Sequence, residues 1–205
     1  MKKPAALLSL VLLSGCITLL PKPGPAPATY VLGASDVAHA DGAPVQGVIA
    51  VATPEGERTL LGTDLVWRTG DQIAFISGTR WSARAEDALQ SLLVQTLARQ
   101  GRFAAAVRED QAAANFEVRW DLIDFEIDNA SMQAKFAANV TVLDATSRRV
   151  IASQLVTANA PVASRSASLS AEALTRAARE GSARIGVFAA ETVSRAQTSA
   201  ASISR

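Results

Sequence analysis

From Met132 to Val142 every second residue is apolar: Met132, Ala134, Phe136, Ala138, Val140 and Val142. That period fits a half-buried β-strand, because successive strand side chains point to opposite faces. The preceding segment follows the same rule. Phe116, Val118, Trp120 and Leu122 alternate with Glu117, Arg119 and Asp121; parity then slips, leaving Phe125 and Ile127 apolar among Asp124, Glu126 and Asp128. One extra residue near Leu122-Ile123 accounts for the slip as a bulge or bend. Turns at Asp128-Asn129 and Asp144-Ala145-Thr146-Ser147 make this a meander. Its third segment, Val150 to Ala158, is apolar on both faces, which predicts a central or covered strand.

Upstream, Thr29-Tyr30-Val31-Leu32 predicts a short strand, and Gly33 to Pro44 a loop. The β-branched run Gly47 to Val51 predicts another strand. Asp64 to Arg68 and Gln72 to Ile76 flank Thr69-Gly70-Asp71, the pattern of a hairpin. A helix is predicted to follow, N-capped by Ser82 and stopped by Gly101. Ala85, Ala88, Leu89, Leu92, Leu93, Thr96 and Leu97 share one face of it, and Arg84, Glu86, Asp87, Gln90, Gln95 and Arg99 form the wet face. A last helix is predicted from about Leu169 to Ser194. Its stripe is Leu174, Ala178, Gly181, Ile185, Phe188 and Thr192, with Gly181 and Gly186 allowing close approach to the sheet. The order strands, helix, strands, helix predicts an α+β domain over 29–195: a mostly antiparallel sheet with two long helices packed on one face. Residues 196–205, rich in Ser and Ala, are expected to fray.

The N-terminus carries an address. Lys2 and Lys3 precede a short apolar stretch, Ala5 to Leu13, and Leu13-Ser14-Gly15-Cys16 ends it with the chain's one cysteine. This is a secretory signal over 1–15, too short to span a bilayer, which takes roughly 20 residues. A cysteine directly after Leu-Ser-Gly is the bacterial lipoprotein cleavage signal, so Cys16 is expected to carry the lipid. Stable anchoring takes at least two acyl chains. Ile17, not aspartate, follows the cysteine, which predicts an outer-membrane destination facing the periplasm. Pro21, Pro23, Pro25 and Pro27 then alternate along a stalk that cannot be helical. Residues 16–28 thus form the lipidated cysteine and its stalk, reaching about 35 Å at full extension.

Composition narrows function by exclusion. Removal of Lys2 and Lys3 with the signal leaves 18 basic residues of 20 against 19 acidic ones, a net charge of −1. That balance is no footprint for nucleic acid. With Cys16 lipidated, no cysteine remains for a disulfide or a thiolate metal site, so an apolar core must carry stability, and the roughly 165 residues after the linker suffice for one domain. His39 is the lone histidine, and neither a Gly-x-Ser-x-Gly elbow nor a phosphate loop is present. The acidic cluster Asp121, Asp124, Glu126 and Asp128 could pose as paired carboxylates or a calcium site, but its period is that of a solvated strand edge. Arg176, Arg179 and Arg184 among Glu172, Glu180 and Glu191 read as an ordinary wet helix face. No catalytic or metal site is expected, and no cofactor beyond the covalent lipid on Cys16.

Several features in succession resemble the ABC-type transport auxiliary lipoproteins of the PqiC-like type. They are the lipobox with a Pro-rich stalk, Tyr30-Val31-Leu32, the hairpin Val66-Trp67-Arg68-Thr69-Gly70-Asp71, and Arg80-Trp81 leading into Glu86-Asp87-Ala88-Leu89. The segment from Phe116 to Val156 also looks like that family's second half. Ser82-Ala83-Arg84 departs from the small-Glu-Pro stretch usual there. The resemblance implies a non-enzymatic part of a trans-envelope lipid transport machine, with an MCE-domain protein and an ABC permease and ATPase as partners, a membrane through the lipid anchor, and phospholipid as a further contact. Trp67, Phe75, Arg80 and Trp81 are the candidate partner contacts, since aromatics and arginines dominate binding hot spots. Trp81 has a competing reading as a core residue under the first helix, and Trp67 as part of the hairpin core. Two other classes stay open: a lipoprotein partner in outer-membrane or lipopolysaccharide assembly, and a lipidated enzyme acting on envelope polymers.

Overall fold

The computed structural model describes residues 26–34 and 39–203. The signal segment, Cys16, Ile17 and the stalk through Pro25 lie outside the described residues. Nine strands form one sheet: β1 (Ala28–Tyr30), β2 (Val45–Val51), β3 (Glu55–Gly56), β4 (Asp64–Thr69), β5 (Gln72–Trp81), β6 (Phe103–Arg108), β7 (Phe116–Asp128), β8 (Gln133–Asp144) and β9 (Val150–Pro161). Three helices accompany them among the described residues: α1 (Arg58–Leu61), α2 (Ala85–Gln100) and α3 (Ala167–Ile203).

β7 is the hub. One of its edges is taken by β8 along the whole strand. The other is shared, all in parallel, by β2 at Phe116–Val118, β3 at Asp121–Leu122 and β4 at Ile127–Asp128. β1 with β5 and β2 with β6 are parallel too. Only β4–β5, β7–β8 and β8–β9 are antiparallel. The expected α+β class holds, but the sheet is mixed, not mostly antiparallel. Hairpins carry a local turn signature; parallel pairs are closed by distant crossovers, which no local pattern reveals.

The bulge falls where parity slips. The β7–β8 register shifts between Leu122 and Asp124, throwing Ile123 out to 43% exposure while Leu122 and Phe125 stay buried. β6, an Ala-rich segment poor in β-formers, carries no strand signal and is an addition. β9 overturns its expectation. It pairs only with β8 and is an outer strand, with Val150 and Leu155 exposed.

Ser82 does not cap α2. The cap is Arg84, whose side chain makes no capping bond; the Ala85 N–H instead donates to the Gly62 carbonyl at 2.8 Å. Gly101 does end the helix, in a left-handed conformation (φ 68°) with its N–H on Leu97 O. Leu89, Leu92, Leu93 and Leu97 are buried, each contributing about 1.5–3 kcal/mol of burial. Gln90 is buried rather than wet, and its Nε2 donates to Val51 O at 2.9 Å.

α3 packs on β7, β8 and β9 with one side and on α2 with another. This explains why its buried surface is wider than the expected stripe and includes Ala171, Ala177, Ala189 and Val193. Gly181 lies against Phe136 of β8, whereas Gly186 lies against Gln100 of α2 rather than the sheet. The helix continues through Ile203 instead of ending near Ser194, and Gln197 Nε2 donates to Gln46 O at 2.7 Å.

Candidate functional site

Two surfaces stand out from the core: the hairpin end and the β9 edge. At the hairpin end Trp67 pairs with Ala74 on one face of β4–β5, and Val66 with Phe75 on the other. Phe75 is 53% exposed and Trp67 half-buried. The Arg165 guanidinium, from the loop before α3, sits 5.8 Å from the Trp67 ring centre, within cation–π range. Arg80 is exposed. Trp81, by contrast, is 2% exposed and stacked on Phe125, with ring centroids 5.7 Å apart. Trp81 is therefore a core residue, and the four candidate contacts do not form one patch.

Polar pairs lock the hairpin to the β7–β8 turn. Arg68 Nε donates to Glu126, which is buried, and the Asn129 N–H donates to Arg68 O at 2.9 Å. Asn129 Nδ2 reaches Thr69 Oγ1 at 3.0 Å. Glu126 is thus no member of a solvated edge. A carboxylate taken from water needs a charged partner, and Arg68 on the parallel neighbour supplies it. Asp124 remains partly exposed and Asp121 exposed. Among the described residues the cluster has no metal-holding geometry.

Asp128 accepts from Lys135 Nζ at 2.5 Å and from the Ala130 and Ser131 N–H groups. The Lys135 contact first, then the two backbone donors, hold its carboxyl down to about 2 from an ordinary 3.8. A carboxyl lowered in the folded state favours folding above its unfolded pKa and loses that contribution as pH falls through the folded one. Stability is therefore expected to decline between about pH 4 and pH 2, and Asp128→Asn to flatten part of that decline. Urea unfolding of both chains across this range checks it; identical slopes would refute the assignment.

His39 lies with Nδ1 3.4 Å from Gln100 O, beside Gly101. It packs at the end of α2.

The β9 edge is guarded by the arginines of α3. Arg184 Nη1 donates to Thr157 O at 2.7 Å and Arg176 Nη2 to Pro161 O at 2.9 Å. These carbonyls lie along the open side of the strand. Eight residues of helix and four of strand both span about 12–14 Å, so the two arginines meet carbonyls four residues apart on that edge. Charged side chains on an edge are a known defence against unwanted pairing. The same arginines hold Glu172 and Glu180 at i, i+4. Helical spacing alone suggests only that second role, so sequence reasoning passed over the first. Beyond Arg184 the edge is less protected: Leu155, Val156, Val187, Phe188 and Glu191 line a groove of about 520 Å³ between β9 and α3.

A family model described as ABC-type transport auxiliary lipoprotein component matches residues 30–186. No curated protein matches significantly. Among solved structures, a protein from Xanthomonas campestris is similar at TM-score 0.76 and 22% identity, covering 83% of this chain and 99% of its own. An uncharacterized protein is similar at TM-score 0.63 and 12% identity, covering 80% and 98%. A hypothetical protein from Chlamydia trachomatis is similar at TM-score 0.51 and 12% identity, covering 73% and 99%. These likenesses speak for the fold. The family match runs from the end of β1 through β5, α2 and the whole meander to Gly186 within α3, and on it the chain belongs to the ABC-type transport auxiliary lipoprotein component family.

Proposed function

We propose that the protein is a non-enzymatic auxiliary subunit of an ABC-type lipid transport system of the MCE kind, held by acylated Cys16 at the outer membrane and facing the periplasm. The family match over residues 30–186 is the observation that carries this reading. That family is one of auxiliary transport components and lipoproteins, not of enzymes. The sequence Leu-Ser-Gly-Cys supplies the anchor, and Ile17 the outward sorting. A tether raises the effective concentration of any partner within its reach. The less protected half of the β9 edge offers backbone groups to an extended partner segment.

Crosslinking pull-down of the full-length lipoprotein from intact cells, with Cys16→Ala as control, tests the reading. Recovery of an MCE-domain protein or its permease is expected, together with its loss in Cys16→Ala. Recovery of an outer-membrane β-barrel alone would move the protein to the assembly class. Capture that ignores Cys16 would remove the tether from the account.

A further inference from the structure

The N-terminal chain leaves the domain at a defined place and in a defined direction. β1 runs parallel to β5, with Ala28 opposite Thr79 and Tyr30 opposite Trp81. Traced backward from Tyr30 to Ala28, the direction of β1 points along β5 toward Phe75 and the hairpin turn. The stalk reaches about 35 Å at most. From Thr79 back to Gln72, β5 itself covers about 24 Å. A fully drawn-out stalk thus outruns the hairpin by only about 10 Å, and any slack brings the hairpin down to the anchor's level.

The flank it would bring down has an unusual surface. Ile73, Ala74, Phe75 and Ile76 are four consecutive apolar residues; Ile73 and Ile76 are half-buried against the core, while Ala74 and Phe75 are exposed. A hairpin in water alternates apolar and polar residues; this one shows apolar groups on both faces. Among the described residues, no strand pairs with β5 over 72–78 on the β1 side. Trp67 lies one strand inward under the Arg165 guanidinium. Half-exposed aromatics beside an arginine suit the boundary between headgroups and acyl chains. The unpaired backbone edge and the exposed Asp71 need hydration, so the contact is with the headgroup layer and not the hydrocarbon.

We propose that this flank of the β4–β5 hairpin, with Phe75 foremost, rests on the phospholipid surface that holds Cys16. The domain then stands on its membrane at two points, acyl chains and hairpin, and the β9 edge stays free for protein. This reassigns Phe75 and Trp67 from protein contact to lipid contact. It rests on the anchor in the function proposed above.

Tryptophan fluorescence reads the contact, because Trp81 and Trp120 are 2% and 3% exposed and Trp67 alone of the three is not buried. The full-length lipidated protein is reconstituted in phosphatidylethanolamine–phosphatidylglycerol vesicles whose lipids carry bromine near the top of the acyl chains. Quenching is expected, to vanish in Trp67→Phe and to fall about twofold in Phe75→Asp. Phe75 is exposed enough for that change to leave the fold intact, which circular dichroism verifies. Co-flotation with vesicles but no quenching of Trp67 would overturn the hairpin contact and leave the anchor standing; a hairpin made to dock on a protein gives this same result. Quenching unchanged in Phe75→Asp would also overturn it. Failure to co-float would overturn the anchor and the contact together.

Discussion

Trp81→Ala is expected to cost about 3–5 kcal/mol of folding stability, among the largest effects of any single change in the folded domain. Trp81 ends β5 at the point where three elements meet. Its backbone N–H donates to Thr63 O at 2.7 Å, Tyr30 of β1 lies opposite it, and its ring stacks on Phe125 of β7 at a 22° interplanar angle. Truncation loses the transfer energy of a large buried ring and leaves a cavity that rigid neighbours cannot collapse into. The aromatic pair adds about 0.5–1.5 kcal/mol beyond burial, so Trp81→Ala and Phe125→Leu should be non-additive in a double-mutant cycle by urea unfolding. Phe75→Ala on the same strand provides the contrast, with an expected change within about 0.5 kcal/mol. A small cost for Trp81→Ala would return Trp81 to the list of surface contacts. A large one means that lost transport in such a variant reports lost fold.

Those two aromatics show what was legible in the chain and what was not. Phe75 sits among apolar neighbours and Trp81 between Arg80 and Ser82, and the sequence alone leaves Trp81 divided between core and contact. Burial is decided by what arrives from elsewhere: β1 and β7 close over Trp81, whereas nothing described closes over Phe75. Patterns confined to one segment carried through. The period-two run of β8, the bulge at Ile123, the stop at Gly101 and the apolar face of α2 all follow from neighbours in sequence.

Features that depend on a distant partner did not carry through. The parallel ladders on β7 join β2 and β4, segments about 60 residues away in sequence, and no turn chemistry marks them. Glu117 and Glu126 occupy positions that alternation assigns to water. Each is buried because arginines come to it: Arg119 and Arg148 to Glu117, and Arg68 to Glu126. β9 looked covered because it is apolar. Its outer side is guarded by arginines of α3, whose role as edge caps depends on the helix lying alongside the strand. The lipobox is a different case: its four residues predict an acyl anchor and lie outside the described residues.

Gly181→Ala places two opposing effects on one atom. In an exposed helix, alanine gains about 1 kcal/mol over glycine. Here a Cβ would stand 2.2 Å from Phe136 Cδ1, 2.4 Å from Cε1 and 2.9 Å from Cγ, well inside van der Waals contact. Phe136 is 1% exposed, and its ring packs 6.4 Å from that of Trp120. It has no water to retreat into, so α3 must lift off β8 or the ring must leave its rotamer. Overpacking of this kind typically costs about 1–3 kcal/mol, and this overlap belongs at the upper end, so the clash wins and net destabilisation of about 2 kcal/mol is expected. Phe136→Leu should rescue it, giving a double variant more stable than the two single changes sum to. Stabilisation by Gly181→Ala would show that α3 has room to move against the sheet. The groove between α3 and β9 would then vary in width, and a partner segment could open it further. Destabilisation with rescue by Phe136→Leu fixes α3 to the sheet at this contact. The arginine guards on the β9 edge are then held in place by a glycine of their own helix, between Arg176 and Arg184, seated on the neighbouring strand β8.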